Sequence, residues 1–114
     1  MDLDELVNAI RQTSSDAVAL KLAALLSSWK DDERNVKELE TTVERLIGNT
    51  WIDSKTEHER IYGLWSQFRN DAMLGIGGLT MNERLYLFSL LSRWDSAHTE
   101  EERKAIYAKL LANP

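Results

Sequence analysis

The sequence predicts an all-α protein, a compact bundle of about six short helices, and three observations predict it. Apolar residues recur at helical spacing along nearly the whole chain, so each segment has one face to bury. Ser54 with Glu57, Thr80 with Glu83 and Thr99 with Glu102 have the spacing of capping boxes, in which hydroxyl and carboxylate satisfy backbone donors of a first helical turn. The single proline is Pro114 and glycine clusters only at residues 75–78, which leaves little irregular structure to house a loop-built active site. A chain of 114 residues suits one domain, 1–114, and a chain of that size buries roughly 65% of the surface its unfolded form exposes.

The first helix is expected over about Asp2 to Gln12, with Leu3, Leu6, Val7 and Ile10 on one face. Ser14 or Ser15 then caps a second helix, whose Val18, Leu22, Leu25, Leu26 and Trp29 make an apolar stripe beside small alanines. After the polar turn Lys30-Asp31-Asp32, either aspartate is placed to cap a third helix that buries Val36, Leu39, Val43, Leu46 and Ile47. Gly48-Asn49 is read as its end, since both residues tolerate the left-handed backbone of a helix C-terminus. The connector Thr50-Trp51-Ile52-Asp53 leads to a fourth helix reaching about Asn70, with Ile61, Leu64, Trp65 and Phe68 inward and Tyr62 at the edge.

Gly75, Gly77 and Gly78 swing the chain into residues 81–95, the stretch around which the fold is expected to be organised. Met81, Leu85, Tyr86, Leu87, Phe88, Leu90, Leu91 and Trp94 cover most of the circumference of one continuous helix there, and a helix apolar nearly all round must be enclosed. The last helix closes the core with Ile106, Tyr107, Leu110 and Leu111. Leu20 to Trp29 also aligns with Leu85 to Trp94, but leucine-rich faces use so few residue types that such a match needs no duplication to explain it.

Composition excludes more than it identifies. The absence of cysteine removes disulfides and thiolate chemistry, and fits a reducing cytoplasm. The acidic start, Met1-Asp2-Leu3-Asp4-Glu5, is unlike a basic targeting segment, and no apolar run approaches the ~18 residues of a membrane span. Nineteen acidic against fourteen basic residues give a net charge of −5, which repels nucleic acid and anionic membrane and favours a basic protein partner.

Little in the chain resembles catalytic machinery. His58-Glu59 invites comparison with the zinc motif His-Glu-x-x-His, but the fifth residue is Tyr62, and His98 is the only other histidine. Gly75-Ile76-Gly77-Gly78 before a helix looks like a phosphate cradle, yet no strand precedes it and the P-loop lysine is missing. Metal, cofactor and enzymatic activity are therefore not expected. Asp2, Asp4, Asp31, Asp32, Glu33 and Glu100 to Glu102 are assigned to first helical turns, where the dipole favours negative charge. Glu38, Glu40 and Glu44 are assigned to the solvent side of the third helix, as a solvated face or a docking surface for a basic protein. Trp29, Trp65 and Trp94 belong to apolar faces. Trp51 has two readings: a lid on the core, which so short a connector favours, or an interface anchor.

The block Leu79-Thr80-Met81-Asn82-Glu83-Arg84-Leu85, continuing through Leu90-Leu91 to Trp94-Asp95 and Ala97, resembles the C-terminal block of a set of small bacterial helical proteins. Some proteins of that kind are cognate immunity proteins of contact-dependent growth inhibition toxins. The resemblance implies a protein that binds and occludes a toxin domain, and it carries over no binding residue. The expected function is thus a non-enzymatic, cytoplasmic binding protein, an immunity protein or inhibitor masking a basic toxin such as a nuclease, with Glu38, Glu40, Glu44 and Trp51 as candidate partner-binding residues. The alternative is a self-associating helical adaptor or structural protein, and the chain is expected as a monomer or homodimer.

Overall fold

A computed structural model describes residues 1–113. The described chain is all-α: α1 Leu3–Thr13, α2 Ala17–Trp29, α3 Val36–Asn49, α4 Lys55–Phe68, α5 Met81–Leu87, α6 Leu91–Asp95 and α7 Glu100–Lys109. A π-helical turn, Arg69–Met73, continues α4, and a 3-10 turn, Ile76–Gly78, precedes α5. The radius of gyration is 14.4 Å, near the roughly 13 Å expected of a compact chain this long.

Local chemistry fixes the helix starts. Asp2 and Glu5 form a reciprocal capping box on α1, as do Asn35 and Glu38 on α3 and Thr80 and Glu83 on α5. Ser54 and Thr99 each accept the N–H of the third helical residue, from Glu57 and Glu102. The Glu102 carboxylate reaches past Thr99 to the His98 N–H, so that box does not close on itself.

Two expected caps move. Asp16, not Ser14 or Ser15, caps α2, while the buried Ser14 hydroxyl accepts the Asp16 N–H and shapes the turn. Asn35, not Asp31 or Asp32, caps α3, so Asp31, Asp32 and Glu33 lie in a loop rather than a first turn. Gly48 and Asn49 remain within α3, and no glycine among the described residues has a positive φ.

The core is one contiguous cluster built mainly from α1, α2 and α4. Leu3, Leu6, Val7 and Ile10 of α1 are buried as the sequence predicts, against Leu22, Leu26 and Trp29 of α2 and Ile61, Trp65 and Phe68 of α4. Phe88 enters between Trp29 and Phe68, with ring centroids 5.5 Å from each. Aromatic packing of this kind adds about 0.5–1.5 kcal/mol per pair to simple burial.

The expected continuous helix over 81–95 is broken. Ser89 takes the left-handed conformation, φ 56°, and the Leu90 N–H closes back on the Leu85 carbonyl at 2.9 Å. The break has a packing reason: on an unbroken helix Leu90 points about 200° away from Phe88, whereas here Leu85, Phe88 and Leu90 all enter the core. Tyr86 and Leu91 are left exposed as a result, at 54% and 42%. The same break separates this region from α2, since Leu22 and Leu26 are buried where the aligned Leu87 is half-buried and Leu91 exposed.

Candidate interaction surface

The three glutamates of α3 do not form one acidic stripe. Glu40 and Glu44 lie one turn apart, but Glu38 points about 200° from Glu40 around the helix. Each carboxylate is also engaged within the chain. Glu38 closes the α3 capping box, accepting the Asn35 N–H at 3.1 Å. Glu40 pairs with Lys37 at 3.2 Å. Glu44 Oε1 accepts from Arg69 Nη1 at 2.6 Å and from the indole Nε1 of the buried Trp65 at 3.2 Å. The Glu44 hydrogen bond holds the Arg69 guanidinium above its ordinary value. Glu38 and Glu44 therefore serve α3 and its packing on α4, and only Glu40 has no partner beyond its neighbour on the same helix surface.

Trp51 is in a different position. Thr50 ends α3 and Ser54 begins α4, and the residues between them alternate in burial: Ile52 is buried while Trp51 and Asp53 are exposed. Trp51 is 65% exposed, so it is not a core lid. One face of its indole stacks on the His58 imidazole, centroids 4.0 Å apart and planes 21° from parallel. His58 Nδ1 accepts the Ile52 N–H at 3.4 Å, and the Asp53 N–H donates to Asp16 Oδ2 at 3.4 Å, which ties the connector to α4 and to the start of α2. Tyr62, one turn beyond His58, is 45% exposed. His58 and Tyr62 border an apolar crevice floored by Val18, Leu22, Ile47 and Ile61, whose free volume of about 10 Å³ leaves space for barely one water. Trp51 and His58 thus form an exposed stacked pair, with Tyr62 close by, over an apolar base with little free space.

Two buried cations escape the sequence reading. Arg84 donates to the carbonyls of Leu79, Leu110 and Leu111 at 2.9–3.1 Å. It thereby satisfies the carbonyl end of α7, where the helix dipole is negative. Lys109 is buried beneath the α2–α3 loop. A signal for both exists: Arg84 lies on the face of Met81 and Phe88, and Lys109 on that of Ile106 and Leu110. Within the block Leu79 to Leu85, Thr80 and Glu83 form the cap, Arg84 the carbonyl clamp and Leu85 part of the core.

Among the described residues no group of three or more His, Cys, Asp or Glu side chains is gathered to hold a metal ion, and no helix is long and apolar enough to cross a membrane. Residues 76–78 form a tight 3-10 turn rather than an open cradle. No protein-family model matches the chain, and no curated protein or solved structure does.

Proposed function

We propose that this protein works by binding another protein through the ridge of Trp51, His58 and Tyr62, as an inhibitor or immunity protein that covers a basic toxin domain. The observation that carries the reading is a large aromatic side chain held outside the core, 65% exposed yet fixed in orientation by its stack on His58. A rigid exposed tryptophan loses little conformational freedom on docking and is the residue type most enriched at interface hot spots. The net charge of −5 favours a basic partner, through faster encounter more than through affinity.

The test is growth rescue. Cells producing the toxic C-terminal domain of a secreted effector encoded beside this protein's gene should grow when the wild-type chain is co-expressed. Trp51→Ala should keep its fold and lose about 2 kcal/mol or more of binding. An unchanged affinity removes the ridge from the interface, and a drop in folding stability of that size returns Trp51 to a structural role.

A second reading, self-association, is favoured by Tyr86 and Leu91, two large side chains left in solvent by the break at Ser89. Light scattering separates the two, because a two-fold contact through α5 and α6 requires a dimer at high concentration.

A further inference from the structure

The C-terminal end of α3 is finished differently from the ends of α1, α2 and α7. The Ser14 N–H closes α1 on the Ile10 carbonyl, and the Asp31 and Asp32 N–H groups close α2 on those of Ser28 and Trp29. At the end of α7, Arg84 Nη1 donates to the carbonyls of Leu110 and Leu111. On α3 the Thr50 hydroxyl reaches the Leu46 carbonyl, while the carbonyls of Ile47, Gly48 and Asn49 accept no hydrogen bond from the described residues. The last turn holds no basic residue to answer the negative end of the helix dipole, since Arg45 lies a full turn before Asn49. Gly48 and Asn49 are exposed, and a Cβ at Gly48 would meet nothing within 4 Å. Neither a positive φ nor a close neighbour requires glycine there. It leaves the backbone open to close approach, at some cost in helix propensity.

Trp51 stands two residues beyond Asn49, a separation of at most about 7 Å along the backbone. Its indole gives one face to His58 and is 65% exposed, which leaves the opposite face to solvent. Asp53 is exposed as well, and neither it nor Asp16, whose Oδ2 accepts the Asp53 N–H, forms an ion pair among the described residues. Lys55, at the start of α4, is already paired with Glu59 at 4.0 Å. An open aromatic face, bare carbonyls and an unpaired carboxylate all favour a cation. Together they also select among cations. A guanidinium is planar, lies flat on an indole and keeps its N–H donors at the rim for carbonyl and carboxylate, whereas an ammonium is a compact point charge. Arg84 shows half of that chemistry within the chain, one guanidinium on two terminal carbonyls.

Building on the reading of Trp51 as an interface anchor, we propose that the end of α3, Trp51 and Asp53 form a docking site for an arginine side chain of a basic protein partner. The guanidinium stacks on the open indole face and donates to the Gly48 and Asn49 carbonyls and to the Asp53 carboxylate. Docking requires no movement of the chain, and the net charge of −5 draws a basic partner toward it.

The probe is the capped peptide acetyl-Gly-Arg-Gly-amide, titrated into the intact protein. The Trp51 indole N–H and the Asn49, Thr50 and Asp53 amide resonances should shift together and saturate. Acetyl-Gly-Lys-Gly-amide at equal ionic strength should bind at least about threefold more weakly. The citrulline peptide, planar but uncharged, should give no saturable shift. Trp51→Ala should abolish the saturable amide shifts, and Asp53→Asn should weaken binding by about two- to fivefold. Both positions are exposed, so neither variant disturbs the core. Equal responses to the arginine and lysine peptides, no response to either, or shifts that survive Trp51→Ala overturn the site. Such a failure overturns the arginine site alone, because the ridge is judged by growth rescue. A saturable arginine response without rescue upholds the site and overturns the toxin reading.

Discussion

The hydroxyl of Ser89 accepts the backbone N–H of Asp4 at 3.0 Å, joining positions 85 residues apart. The bond ties the left-handed turn between α5 and α6 to the first turn of α1. Ser89 therefore combines an unfavourable backbone, φ 56°, with a useful acceptor. Ser89→Ala keeps the first and discards the second, and should cost about 1 kcal/mol. Ser89→Gly discards both, relieving about 1 kcal/mol of strain, and should come out near neutral. Ser89→Val should be worst, because a β-branched side chain resists positive φ. Urea denaturation of the three variants gives the order directly.

Glu44 and Glu40 should separate under mutation although they share a side of α3. Glu44→Ala leaves the buried Trp65 indole N–H without its acceptor, which should cost about 1–3 kcal/mol of folding stability. Glu40→Ala should change stability by less than about 0.5 kcal/mol, since it breaks only a surface pair with Lys37. Thermal melts of both suffice. Reversing the charges at positions 38, 40 and 44 together should therefore disturb folding as well as association.

Arg84→Lys should not be a mild exchange. A single ammonium cannot reach the Leu79 carbonyl and the paired carbonyls of Leu110 and Leu111 together, as the guanidinium does. The expected cost is about 2 kcal/mol or more, with the loss of protection in hydrogen exchange concentrated at the C-terminal end of α7.

Acid should destabilise the fold through three carboxylates that folding holds ionised. The Arg93 hydrogen bond holds the Asp31 carboxyl below the usual range, and for Asp32 the opposing effect of burial is outweighed by bonds from Arg34 and Lys109. The Thr80 backbone N–H, then its hydroxyl, holds Glu83 down likewise. A carboxylate lowered on folding contributes stability that is complete above its unfolded value and disappears as pH falls through its folded value. Stability should therefore be level near neutrality and fall below about pH 4, and Arg93→Gln should make that fall less steep. For Lys109, whose value is lowered by burial, the unfolded chain binds the proton more readily. Stability should rise with pH just below the ordinary lysine value, and Lys109→Met should remove that rise.

The helices were legible because periodicity and capping are local. Leu3, Leu6, Val7 and Ile10 read as one face and are one face, and Thr80 with Glu83 caps α5 as its spacing requires. What escaped depends on partners distant in sequence. Nothing within residues 81–95 shows that Leu85, Phe88 and Leu90 must share one side, because the need comes from Trp29 and Phe68. Likewise Glu44 resembles any solvated glutamate until α4 brings Trp65 and Arg69 beside it. That Trp51 is no core lid shows only once the connector puts Ile52 on the inner side.

The π-helical turn at Arg69–Met73 has a consequence for chain length. The Leu74 N–H reaches the Arg69 carbonyl at 3.0 Å, so the turn spans one amino acid more than ordinary coiling needs. Excising exposed Asn70 or Asp71 should let that surplus vanish while both flanks keep their bearings, whereas a deletion within Lys55–Phe68 would rotate everything downstream by about 100°. Homologues one residue shorter should have lost that residue at this seam.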